Sequence, residues 1–202
     1  MDKRFNGKAI YQPAGKAAEY AKWACNYYTG CSNNCAYCYC KRGVLARTWS
    51  DTPKLKKCFK DENHALKVFE KELKEKLTEL QKHGLFFSFT TDAMLPETSK
   101  LTYCAIEKCC WHRVPIKILT KMSRPFLCKG FFECAPPTAR HYVTVGFTLT
   151  GHDDREPGAS PNLERIEAMR ELHIAGFKTW ASLEPVIDFS SSVDMIVLTL
   201  TL

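Results

Sequence analysis

The chain has 202 residues, 45% hydrophobic and 25% charged, which is enough for one domain with its own core and excludes a disordered or fibrous composition. No run of about eighteen apolar residues occurs, so no membrane span is expected. The opening "MDKRFNGKAIYQPAGK" lacks the apolar core of a signal peptide, and a cytoplasmic location is the expectation. The net charge of +7 suits an anionic partner such as nucleic acid; the simpler reading places it on a solvated lysine-rich helix around "KELKEKLTELQK".

In chain order, residues 1–18 read as an N-terminal extension and residues 19–202 as the core domain. A first strand is expected over residues 22–28, leading into a cysteine-rich loop. A helix begins near Asp61 and buries Leu66, Phe69, Leu73, Leu77 and Leu80, whose spacing of three and four marks one helical face. Gly84 stops it, and the apolar run "LFFSFTTD" reads as a buried strand. A second helix is expected over residues 97–112, then the strand "VPIKILTK", a short glycine-broken helix in "PFLCKGFFEC", and the strand "HYVTVGFTLTG". Ser160 is placed to cap the next helix with Pro161 at its first position. Ile166, Met169 and Leu172 form that helix's buried stripe, and Gly176 ends it. "FKTWASLEPVID" is a last strand, and "SSVDMIVLTLTL" begins a further helix.

Strands separated by single helices are the pattern of parallel βα units, so the fold class is α/β with five such strands. In sheets of this kind chemistry gathers at the C-terminal strand ends. Polar residues fall there in "TTD" (90–92), "TK" (120–121), "TLT" (148–150) and "LEP" (183–185), and the cysteine loop lands on the same rim.

Eleven cysteines, an odd number, with five between Cys25 and Cys40, do not read as a disulfide framework. Cys31, Cys35 and Cys38 form C-x3-C-x2-C, a spacing suited to soft metals. It leaves open an iron–sulfur cluster with three protein ligands, a zinc site, or a redox pair at Cys35 and Cys38. The remaining cysteines, Cys40, Cys128 and Cys134 among them, read as bystanders.

"CSNNCAYC" resembles the cysteine motif of the radical S-adenosylmethionine (SAM) superfamily, with Tyr37 in its aromatic position. "SFTTDAMLPE", "KILTK" and "FTLTGHDDREPGASPNLERIEAMRELHIAGFKTWASLEPVID" are most similar to its spore photoproduct lyase-like branch. The resemblance implies a partial (βα)6 TIM-like barrel of the radical SAM type, with five of six units present and the chain truncated at its C-terminus. It implies a [4Fe–4S] cluster on Cys31, Cys35 and Cys38, with SAM on the fourth iron. One-electron cleavage of SAM would give a 5′-deoxyadenosyl radical that takes hydrogen from a substrate.

On the same basis Asp92 accepts hydrogen bonds from the SAM ammonium, with Thr90 and Thr91 sharing that task. Lys121 or Arg165 pairs with its carboxylate, and Thr148 and Thr150 contact carboxylate or ribose. Glu184 reaches the ribose or sulfonium, and Tyr37 lies near the adenine. The implied partners are an electron donor of flavodoxin or ferredoxin type and a nucleic-acid substrate. The competing expectation is a zinc-stabilised, basic nucleic-acid-binding module without catalysis.

Overall fold

A computed structural model describes residues 5–128, 131 and 136–201. Its centre is a six-stranded sheet in the order β1 (Ile10–Tyr11), β2 (Ala24–Cys25), β5 (Leu85–Phe87), β6 (Ile116–Thr120), β7 (Val143–Thr148) and β8 (Lys178–Ser182). From β2 to β8 every pairing is parallel, and only β1 runs antiparallel to its neighbour. A separate two-stranded ribbon pairs β3 (Tyr28–Thr29) with β4 (Lys54–Leu55). Five parallel strands were expected, and all five are present. The described strands form an open sheet with β1 and β8 at its edges.

The helices are α1 (Ala17–Tyr20), α2 (Glu62–Glu75), α3 (Leu77–His83), α4 (Ser99–Trp111), α5 (Arg124–Leu127), α6 (Ala139–Tyr142), α7 (Asn162–Ile174) and α8 (Phe189–Leu200). Asp61 caps α2 by accepting the His64 amide at 2.7 Å. The single helix expected there is broken at Lys76, although its apolar face is continuous. Phe69, Leu73 and Leu80 are buried, and Leu66 and Leu77 pack at its margin. Gly84 and Gly176, both at positive φ, terminate α3 and α7 as expected. All three β5 residues are buried, and Ile116 and Ile118 of β6 and Val143, Val145 and Phe147 of β7 bury alternate positions on the face that carries the core, while Lys117 is exposed and β8 buries only Ser182.

Two expectations are corrected. Ser160 does not cap α7: its hydroxyl accepts the Ser123 amide at 3.0 Å, and the first helical amide, from Asn162, goes to Asp153 Oδ1 at 2.8 Å. Pro161 occupies the cap position itself, with extended ψ. The lysine-rich stretch is also not the seat of the positive charge, because residues 62–83 hold five lysines and five glutamates. Many of these pair: Lys74 and Lys108 with Glu70, Lys71 with Glu75, and Lys22 with Glu79.

The segment read as an extension supplies β1. Glu72, buried on α2, accepts the amides of Ala9 and Ile10 at 3.0 and 2.7 Å and so ties the strand to that helix, while the strand's pairing with β2 joins it to the sheet. Most of the "PFLCKGFFEC" stretch beyond α5, including Cys134, lies outside the described residues. Among the described residues no helix is long and apolar enough to cross a membrane.

Candidate functional site

Tight backbone turns shape the cysteine loop between β3 and a 3-10 turn at Tyr39–Lys41. The carbonyls of Cys31, Cys35 and Cys38 each accept an amide three residues ahead, from Asn34, Cys38 and Lys41, at 3.3, 3.2 and 3.1 Å. Asn34 sits in the left-handed region that such a fold requires. The loop is then locked against the segment before α7. Ala36 N donates to Arg155 O at 2.9 Å, and Gly158 N to Asn33 O at 3.1 Å. A Cβ on Gly158 would stand 2.0 Å from Ser32 O, so only glycine allows this approach.

All three motif cysteines are free thiols, Cys35 buried and the other two half-buried. Cys31 lies within electrostatic reach of Cys35, and Cys35 of Cys38. Burial, with the Asp92 carboxylate nearby, pushes the Cys31 thiol up to about 12. Burial also raises Cys35, and Lys121 opposes that shift. Cys38 goes the other way: a hydrogen bond from the Cys40 thiol stabilises its thiolate and lowers it to about 6.

Among the described residues no three His, Cys, Asp or Glu side chains converge on one point where a single metal ion would sit. A tetrahedral zinc with Zn–S near about 2.3 Å needs such convergence. A polynuclear cluster takes each thiolate on a different metal atom and so does not need that convergence. The donor set therefore fits an iron–sulfur cluster.

Beside the loop stands Asp92, 8% exposed, at the rim beyond β5. Its Oδ1 accepts Met94 N at 3.0 Å and Thr120 Oγ1 at 2.7 Å. Its Oδ2 accepts Asn33 Nδ2 at 2.9 Å and Lys121 N at 2.8 Å. A carboxylate has about four lone-pair sites, and all are engaged here within the protein. Its bond to Asn33 also fixes that amide's orientation, because the carboxylate accepts only a donor. The carbonyl Oδ1 of Asn33 then points away from Asp92, and it is buried without a hydrogen-bond partner. A buried acceptor left in this state marks a place where a donor belongs.

The second hub is Glu156, 2% exposed, which sequence reading passed over. Glu156 Oε2 accepts Arg165 Nη2 at 2.6 Å, and its Oε1 accepts the Tyr37 hydroxyl and lies 3.8 Å from Lys121 Nζ. Arg165, fully buried, also donates through Nε to Ser160 O at 2.7 Å and through Nη1 to Thr148 O at 2.8 Å. The Lys121 ammonium lies 5.6 Å from the Tyr37 ring centroid. Burial and the Glu156 carboxylate hold the Tyr37 phenol well above its ordinary range.

Of the expected site residues, Tyr37, Asp92, Lys121, Thr148 and Arg165 are thus joined in one network. Thr91 adjoins it through the backbone of Asp92 at 3.5 Å. Thr90 instead bonds Tyr28 O at 2.6 Å. Thr150 Oγ1 accepts the His152 amide at 3.2 Å. Glu184 is exposed and bonds the hydroxyl of Tyr20, outside the network. Asn33 lay inside the motif and was legible only as a spacer; Glu156 had no local signal beyond the Pro-Gly that follows it.

No family model matches the sequence, and no curated protein matches it. Three solved structures do, all of spore photoproduct lyase. A cysteine-to-alanine variant aligns at TM-score 0.68 with 17% identity, over 92% of this chain and 52% of that one. The lyase complexed with dinucleoside spore photoproduct aligns at 0.67 with 17% identity and the same coverage. A tyrosine-to-phenylalanine variant aligns at 0.67 with 16% identity, over 90% and 50%. The chain spans about half the length of these structures. Across nine-tenths of its own length, its mostly parallel sheet and flanking helices have the fold of spore photoproduct lyase, the branch its motifs resemble.

Proposed function

We propose that this chain is the core of a radical SAM enzyme that holds a [4Fe–4S] cluster on Cys31, Cys35 and Cys38 and binds SAM on the adjoining rim. The observation that carries the reading is the pairing of three free thiols on one turn-locked loop with a buried, donorless acceptor, Asn33 Oδ1, beside them. When bound, cluster and SAM together supply a 5′-deoxyadenosyl radical able to take a hydrogen atom from a substrate.

The chain's own residues bind and orient. Asn33 Oδ1 accepts from the SAM ammonium, and Asp92 holds that amide in place while tying the β6 end to the loop. Lys121, whose ammonium stands 3.8 Å from Glu156 Oε1 and over the Tyr37 ring, pairs with the SAM carboxylate. Tyr37, held by Glu156, borders the adenine. Arg165 and Thr148 act behind this layer by fixing Glu156, and Thr90, Thr91 and Glu184 serve the outer margin. The substrate class we propose is a nucleic-acid lesion of dinucleotide size, by analogy with the complexed lyase. A flavodoxin- or ferredoxin-type protein delivers the electron, in the cytoplasm.

Anaerobic reconstitution tests the reading. About four irons per chain with brown absorbance at about 400 nm, and 5′-deoxyadenosine after dithionite reduction with SAM, are expected. A colourless protein holding stoichiometric zinc would instead make it the non-catalytic binding module.

A further inference from the structure

The positive charge of the chain is concentrated directly after the cysteine loop. Residues 41–60 hold seven lysines and arginines against one carboxylate, Asp51, while the whole chain carries +7. Five of these cations, Arg42, Arg47, Lys54, Lys57 and Lys60, are exposed. Among the described residues none of the five has a carboxylate partner, in contrast with the paired lysines of α2. Like charges gathered without carboxylate partners repel one another.

The segment clasps the cysteine loop. Ser50 O accepts the Cys31 amide at 3.0 Å, Lys41 Nζ donates to Asn34 O at 3.0 Å and Asn34 Oδ1 at 2.6 Å, and β4 pairs with β3. Between Arg42 and Arg47 the chain turns through Gly43–Arg47 and presents Val44, 81% exposed, at its tip. An exposed apolar tip flanked by Arg42 and Arg47 on a cationic segment has the character of a small protein–protein interface, apolar at its centre and charged at its rim. Single-stranded nucleic acid would instead favour a row of open aromatic faces. The two aromatics of this segment are not open: Lys41 Nζ lies 4.8 Å over the Trp49 ring, and Phe59 is 3% exposed.

We infer that residues 41–60 form the docking surface for an acidic one-electron donor protein, with Val44 between Arg42 and Arg47 at its tip and the exposed Lys57 further along the same segment. The inference rests on the radical SAM reading above. One electron leaves the reduced donor, a flavin hydroquinone becoming a semiquinone or a reduced [2Fe–2S] centre becoming oxidised. It would enter the cluster that the adjoining cysteines would hold, and no proton or group is transferred. Steering by opposite charge raises the encounter rate, and a transient redox interface of this sort is small.

The test compares the wild-type chain with an R42E/R47E/K57E variant and with Val44→Ser, all at surface positions. Binding of the iron-free chains to an oxidised acidic flavodoxin is measured at low and high salt. Cluster reduction is then followed with the reduced flavodoxin and, separately, with dithionite. The charge variant is expected to bind and be reduced by flavodoxin about tenfold or more weakly at low salt, with dithionite reduction and iron content unchanged. Wild-type binding should weaken as salt rises.

Equal flavodoxin binding and reduction in all chains would overturn the assignment. So would loss of duplex-DNA binding in the variant with flavodoxin reduction intact, which would make the surface a nucleic-acid site. Failure of the radical reading is separate: the wild type would then hold no cluster, or yield no 5′-deoxyadenosine even with dithionite.

Discussion

Two neighbouring parts of one rim treat their polar groups in opposite ways. Around Glu156 the groups are engaged inside the protein: Arg165 donates three ways, and both carboxylate oxygens are taken. Around the cysteine loop less is engaged: the three thiols are in no disulfide, Asn33 Oδ1 has no donor, and the Lys121 ammonium has its carboxylate at 3.8 Å. The engaged part is scaffold. The other carries the groups on which the proposed cofactor binding rests, and the two should respond differently to substitution.

The largest effect should come from the engaged part. Glu156→Ala leaves a fully buried guanidinium without its anion, a loss of about 3–5 kcal/mol, read as the midpoint shift in urea unfolding. Glu156→Gln retains an acceptor for Arg165 and should cost less. If Glu156→Ala unfolds like wild type, the scaffold reading of this cluster is wrong.

The cysteine loop should show its contrast in reactivity, before any iron is added. At pH 7 Cys38, with its thiol near 6, is mostly thiolate, whereas Cys31, near 12, is almost wholly protonated. Thiolates are the nucleophiles, and a lower pKa partly offsets the gain by making each thiolate less reactive. Iodoacetamide should therefore label Cys38 about a hundredfold faster than Cys31, as followed by peptide mass spectrometry. Labelling of Cys38 should fall as pH drops through about 6, where its thiolate is lost. Cys40→Ala removes the donor and should push that inflection upward.

The two parts meet at Gly158, so a methyl group there sharpens the comparison. Gly158→Ala must displace Ser32 O or the Asn33 backbone, at a cost of about 1–3 kcal/mol. The same shift would disturb the loop that presents the thiols. Lower iron retention after reconstitution should thus accompany a modest fall in thermal midpoint, whereas an equally destabilising change in α2 should leave iron retention intact.

What could be read from the sequence follows from where the information lies. The parallel strands were legible as short apolar or β-branched stretches set between helices at regular spacing, and the helices because their buried stripes repeat at three and four residues. The gathering of Tyr37, Asp92, Lys121 and Arg165 into one network followed from topology, since the loops after parallel strands meet at one end. β1 was not legible: two residues carry no period, and the strand is held by Glu72, more than sixty positions away. Ser160 had the chemistry of a cap, but Asp153 reached the Asn162 amide and Ser123 claimed the Ser160 hydroxyl. Asp92 was found, yet its role depends on how many donors surround it, and those come from Asn33, Met94, Thr120 and Lys121 on separate segments.

The smallest expected effect is the most selective. Lys121 contributes its backbone amide to Asp92 and its carbonyl to Ser160, and neither bond needs the side chain. Lys121→Met keeps both and much of the apolar stem, so folding and iron content should stay near wild type. The ammonium is all that is lost. If it pairs with the SAM carboxylate, the reconstituted variant should bind SAM about tenfold more weakly, by calorimetry, while a SAM analogue lacking the carboxylate should not distinguish the two proteins. Asn33→Ala should weaken SAM by a similar factor through the ammonium, with an analogue lacking the amine as its control. If both variants bind SAM as the wild type does, the unengaged groups of this rim belong to some other ligand, even where the thiols hold iron.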